Sequence, residues 1–291
     1  MSQTLHSATR IGKVALKVSN LKRSIVFYTE VIGFQLLHES SQTAQLTADG
    51  KTVLLTLTEH KDALILPERA GAGLYHFAIL LPDRASLGLA IRNLAKHNME
   101  IGQGDHLVSE AFYLNDPDNN GIEMYADRPR ETWKRDQNGH YIMATEQVDV
   151  QGLLDESADK TWSGLPAGTT IGHVHFHVSD LGNAEKFYVQ TLGFDIVAMY
   201  GSMAMFISAG GYHHHIGLNT WAGVGAPPVP ENAAGLDFYS LVLPNDDERQ
   251  AVLDRLRQGG YQVSEQAGKW FAKDPFNIQV QLVTEQEHLL G

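Results

Sequence analysis

The chain has 291 residues, 43% of them hydrophobic and 19% charged, a balance that excludes collagen, coiled coil and a disordered tail. At about 100–200 residues per domain, this length predicts two domains with a sizeable core. The 22 basic and 34 acidic side chains leave a formal charge of −12, which argues against nucleic acid and anionic membrane as partners. Cysteine is absent, which removes disulfides, thiolate metal sites and a cysteine nucleophile. No apolar run is long enough for a membrane helix, and Met1–Arg10 lacks the pattern of a secretory signal. The expectation is a cytoplasmic protein acting on a small molecule. The 14 histidines are spread along the chain and are not a tag.

A repeat organises the elements. Ile11–Phe34 and Ile171–Phe194 align without a gap at an offset of 160, with 10 of 24 positions identical. Gly73–Pro82 and Gly235–Pro244 form a second pair. The chain therefore reads as four related modules, two in each half. Val14–Val18 alternates as a strand does. A helix follows between the N-cap Asn20 and the stop Gly33, with Leu21, Ile25, Tyr28 and Ile32 on one face. Strands are predicted at Gln35–Glu39, Thr43–Thr47 and Thr52–Thr58. The second and fourth modules have longer helices, Arg84–His97 and Asp246–Gly259, and the turns Asp116-Pro117 and Asp274-Pro275 each precede a last strand. Residues 8–126 then form one domain, with modules 8–66 and 73–126. Residues 171–285 form the other, with modules 171–222 and 235–285. Between them, 127–170 is polar and weakly periodic and reads as a linker with a short helix near Val150–Asp155. So long a connection suits a chain that must travel between modules that are not simple neighbours.

The modules can be aligned on the residue that closes the first strand, namely Asn20, Asp83, Asp180 and Asn245. Seven positions upstream stand Lys13, His76, His173 and Phe238. Seven positions past the turn aspartates stand Glu123 and Gln281. Two histidines and one carboxylate make the facial triad of non-haem iron(II) oxygenases. Neither half holds all three, so the set completes only if module two packs against module three. A lone histidine on a strand is usually a satisfied core or surface residue; here the equivalence of positions carries the case. His173, His175 and His177 share one strand face, which suits a metal or a buried polar network. Glu123 alternates with Ile122 and Met124, so it points inward, where a carboxylate needs a partner. His213, His214 and His215 precede the apolar run at Ile216 and read as the start of a strand, with alternate members on opposite faces. One of them could serve in proton transfer. No HExxH, GxSxG or P-loop pattern occurs.

The strings GLYHFAILLPDR, GDHLVSEAFYLNDPDNNGIEMYADRPR, IGHVHFHVSD and GGYHHHIGLNTWAG resemble the vicinal oxygen chelate superfamily, which holds glyoxalases, bleomycin-resistance proteins and extradiol dioxygenases. The resemblance covers nearly the whole chain outside the linker and is strongest to catechol 2,3-dioxygenase-like proteins. It implies an α+β fold of four βαβββ modules forming two cupped antiparallel-sheet barrels. It also implies ring cleavage of a small aromatic diol by O2 in aromatic catabolism, with iron(II) or manganese(II) as cofactor, and it admits a homo-oligomer. Carried over residue by residue, His76, Glu123 and His173 would be metal ligands and His214 the catalytic proton carrier. Tyr113, three residues before the Asp-Pro turn, would contact substrate, and His106 would support it. The usual consecutive order would place the site in modules three and four, where Phe238 and Gln281 stand instead. Modules two and three are therefore expected to share the metal. The alternatives are a glyoxalase-like metal-dependent lyase or isomerase, and a non-catalytic protein that binds an aromatic compound.

Overall fold

A capped helix follows the opening strand in every module. The side chains of Asn20, Asp83, Asp180 and Asn245 each accept the backbone N–H three residues on, at 2.9, 2.7, 2.6 and 3.0 Å. The computed structural model describes residues 4–290. Module one holds β1 (Arg10–Val18), α1 (Leu21–Val26), β2 (Gln35–Glu39), β3 (Thr43–Thr47) and β4 (Leu55–Glu59). Module two holds β5 (Gly73–Leu81), α2 (Arg84–Lys96), β6 (Gly102–Asp105), β7 (Ser109–Asn115) and β8 (Gly121–Asp127). The short helix α3 (Val150–Glu156) follows. Module three holds β9 (Thr170–His177), α4 (Leu181–Glu185), β10 (Asp195–Tyr200), β11 (Ala204–Ser208) and β12 (Ile216–Asn219). Module four holds β13 (Gly235–Leu243), α5 (Asp246–Gln258), β14 (Val263–Gln266), β15 (Lys269–Lys273) and β16 (Gln279–Thr284), and α6 (Glu285–Leu290) ends it.

The strands form two 8-stranded sheets. One runs β14-β15-β16-β13-β1-β4-β3-β2 and the other β10-β11-β12-β9-β5-β8-β7-β6. Each sheet thus draws one module from each half of the sequence, joined antiparallel through the opening strands, β1 with β13 and β5 with β9. The fold is α+β, as expected, with one refinement to the expected antiparallel sheets. In every module the first strand pairs parallel with the last. The helix returns the chain to its starting end, and a three-strand meander then finishes in the direction in which the module began.

The helices of modules one and three depart from the simple period. After α1 and α4 the chain widens into π-helical turns, Phe27–Ile32 and Lys186–Leu192, which stop at Gly33 and Gly193 with φ of +102° and +97°. The wider winding accompanies burial of two consecutive rings, Phe27 with Tyr28 and Phe187 with Tyr188. The Tyr28 hydroxyl donates to Asp116 at 2.7 Å and the Tyr188 hydroxyl to Asp274 at 2.8 Å. Each of these aspartates also accepts two backbone N–H groups of its own turn. The turns predicted from Asp-Pro are therefore anchored to the helix of the preceding module.

Candidate metal centre

Ala78 on β5 lies between His173 on β9 and Glu123 on β8 in the sheet register. His76, two residues before Ala78, projects from the same face. Ala78 is small, which leaves room above it for the longer side chains around it to converge. His76, Glu123 and His173 each offer a ligand atom, and these atoms lie within 4.8 Å of one another. All three residues are buried. His76 Nε2 is 3.0 Å and His173 Nε2 3.1 Å from the same Glu123 oxygen, Oε2. Only His173 makes a hydrogen bond to it; His76 Nε2 has none.

Burial alone would raise the Glu123 carboxyl, but His173 and His76 more than offset it and hold it well below the usual carboxylate range. Burial pushes His76 down, toward the neutral imidazole. Two imidazole nitrogens and one anionic oxygen, crowded around one point and incompletely hydrogen-bonded, are a donor set suited to a divalent cation. His173 Nδ1 also lacks a hydrogen bond, so packing orients its ring, with His214 at 4.1 Å and Tyr125 at 4.9 Å between centroids.

The other predicted residues surround this cluster. Tyr113 pairs with Glu123 across β7 and β8, and its ring centroid is 5.6 Å from that of His76. His106 Nδ1 lies 2.7 Å from the Ala144 carbonyl oxygen, which can only accept, so this nitrogen is the donor. In the neutral imidazole His106 Nε2, 2.6 Å from the Tyr113 hydroxyl, is then the acceptor, and Tyr113 donates to it. A cavity of about 820 Å³ reaches His76 and Tyr113, with Tyr75, Arg69, His177 and Asn119 on its walls.

The segment His213–His215 is not a strand start. It connects β11 to β12 after the left-handed pair Gly210 and Gly211, and all three rings are buried. An irregular connection has no alternation of faces, which is why the expected strand geometry fails here. His213 Nε2 is 2.8 Å from Asp127 Oδ1, and His213 Nδ1 is 2.9 Å from His214 Nδ1. With Asp127 Oδ1 accepting from His213 Nε2, His213 Nδ1 accepts from His214 Nδ1, and the His214 lone pair is left on Nε2. Sequence reasoning named His213 within the histidine run but missed Asp127; the signal available was an acidic residue closing the strand that bears Glu123. The histidine row on β9 resolves into two uses. His173 joins the cluster, whereas Asn219 accepts from His177 Nδ1 at 2.6 Å and donates to His175 Nε2 at 2.9 Å.

The linker covers this region. Trp133 and Tyr141 pack with Tyr212, and the Trp133 ring stands edge-on to His213 at 5.1 Å. The Tyr141 hydroxyl donates to the Gly211 carbonyl at 2.6 Å. The expected short helix is α3, which packs on α2, where Arg92 donates to the Leu154 carbonyl at 2.6 Å.

The chain belongs to the glyoxalase/bleomycin resistance protein/dioxygenase superfamily, whose family model matches residues 10–124 and 170–282. It is 56% identical over 273 residues to the catechol-2,3-dioxygenase of Bacillus subtilis (strain 168), covering 94% of this chain and 96% of that protein. Among solved structures, glyoxalase I of Zea mays superposes with a TM-score of 0.59 at 17% identity, over 97% of this chain and 94% of that one. A second Bacillus subtilis protein superposes with a TM-score of 0.67 at 13% identity, over 98% of this chain and 86% of that one. At these identities the superpositions speak to the fold alone. Among the described residues, no helix is long and apolar enough to cross a membrane.

Proposed function

We propose that the chain is a metal-dependent extradiol dioxygenase that cleaves catechol-type aromatics, with modules 73–126 and 171–222 sharing its centre. The observation that carries this reading is the convergence of His76, Glu123 and His173 with His214 and Tyr113 beside them. The similarity to the Bacillus subtilis catechol-2,3-dioxygenase supports it. His76, Glu123 and His173 would hold the divalent metal, iron(II) in our reading with manganese(II) as the other occupant. When bound, the metal supplies a Lewis acid that gathers the diol and O2.

The remaining chemistry belongs to the side chains. His214 Nε2, its lone pair directed by Asp127 through His213, takes a proton from a substrate hydroxyl and returns it later. Such transfer contributes about 10²–10⁴-fold in rate. Tyr113, whose own proton is given to His106, presents its oxygen lone pairs to a second substrate hydroxyl. A cytoplasmic setting and a homo-oligomer go with this reading; light scattering measures the latter.

The test is O2 uptake by protein loaded anaerobically with iron(II) and then given catechol. Consumption of O2 with a yellow ring-fission product is the expected result. Bound metal without O2 uptake would overturn the dioxygenase reading in favour of lyase or isomerase chemistry.

A further inference from the structure

The sheet formed by modules one and four repeats the register of the metal centre with different residues. Ser240 on β13 pairs with Gln281 on β16, as Ala78 pairs with Glu123. Phe271 on β15 faces Gln281, as Tyr113 faces Glu123. The repeat offset of 160 places Lys13 on β1 where His173 stands on β9. Its backbone N–H donates to Ser240 Oγ at 2.7 Å. Val14 pairs with Leu55 as Val174 pairs with Ile216, so Val53 occupies the His214 position. Lys13, Val53 and Gln281 line one cavity of about 230 Å³.

The charge of the site is inverted. An ammonium and an amide stand where the other sheet has an imidazole and a carboxylate. Gln281 is 1% exposed, and its Oε1 makes no hydrogen bond. Among the described residues, no carboxylate pairs with the Lys13 ammonium, which burial and then Lys269 push down to about 8. Glu287, on the cavity wall, is engaged by Arg249 at 2.6 Å. Burial holds the remaining wall group, His288, down at about 4, hence neutral near pH 7. A buried cation without a counter-ion and a buried amide oxygen without a donor are each costly. One ligand can satisfy both.

We propose that this cavity is a second ligand site, for a small 2-hydroxycarboxylate. Its carboxylate would sit on Lys13, with Lys269 beside it, and its hydroxyl would donate to Gln281 Oε1. The cavity is smaller than the roughly 300–1,000 Å³ of sites for drug-sized ligands, so it takes a molecule of few heavy atoms. The proposal stands apart from the reading of the metal centre.

Glycolate titrated into the metal-loaded protein, followed by backbone amide NMR, tests it. The expected result is a saturable shift at the wall residues Ala267 and Gly268. Acetate, which lacks the hydroxyl, should bind about 3–10-fold more weakly, and Lys13→Met should weaken glycolate by about tenfold or more. Lys269→Gln, an exposed change that leaves the fold intact, should weaken it by a smaller factor, about threefold. Shifts confined to the surroundings of His76, or no saturable shift, overturn the proposal. So does a glycolate affinity unchanged in both lysine variants. Acetate binding as well as glycolate overturns the role given to Gln281.

Discussion

His214 has two tautomers, and with Asp127 accepting from His213 Nε2 the chain of contacts leaves the His214 lone pair on Nε2. Removing the imidazole and removing its orientation should therefore have different signatures. His214→Ala should retain metal and lose about 10²–10⁴-fold in turnover. Asp127→Asn should lower kcat by about 10–100-fold while metal content and KM hold, as expected when a positioning partner is lost. Glu123→Ala should lose the metal itself, read by metal analysis after desalting. Normal metal content in Glu123→Ala would mean that modules two and three do not share a centre. The cluster of His76, Glu123 and His173 was legible in the sequence because equivalent positions of a repeat could be compared. The contact of Asp127 with His213 was not, because His213 sits in an irregular connection that no periodicity describes.

At the scale of elements, the tyrosine–aspartate clasp makes a prediction about pH. Burial pushes the Asp274 carboxyl up to about 7, although Ile278 N–H, the Tyr188 hydroxyl and Phe276 N–H pull the other way. Its folded value thus lies above the unfolded value of about 3.9, so the native state holds the proton more tightly. The associated stability is complete below about pH 4 and is lost as pH rises through about 7. Asp274→Asn, which keeps an acceptor for the two turn amides, should flatten this slope. Urea melts of both proteins at about pH 5 and pH 8 measure it; equal slopes would remove Asp274 as the cause. The capped starts and glycine stops of the helices were readable from local residue types. The π turns were not, because their winding is tied to tertiary burial of Tyr28 and Tyr188 and not to a sequence period.

At the scale of the molecule, two sets of connections cross. The sheets join module one to four and two to three, whereas the tyrosine clasps join one to two and three to four. Neither half of the sequence can leave without exposing the opening strands β1 and β5 along a sheet edge. Residues 4–126 expressed alone should therefore fail to give a cooperative unfolding transition, and co-expression with 127–290 should restore one. Circular dichroism melts distinguish the outcomes. The four modules were visible as a repeat. Their crossed pairing was visible only through the residues that break the repeat, Phe238 and Gln281, since identical modules would have fitted either arrangement. The covering role of the linker left no such mark, because Trp133 and Tyr141 sit in a polar, aperiodic stretch.

Arg10 at the start of β1 forms an ion pair with Glu285 of α6 at 2.7 Å, so the first strand and the last helix meet at the ends of the interior strands of one sheet. The crossing of the modules is then a matter of where the ring of four is cut. A circular permutant, with those ends joined and the chain opened between β4 and β5, would read two-three-four-one. The metal centre would then be encoded by consecutive modules, and the lysine-lined cavity by the pair that follows. The same contacts would come from a gene with the ordinary order of consecutive domains, so relatives differing in module order can share one active-site geometry.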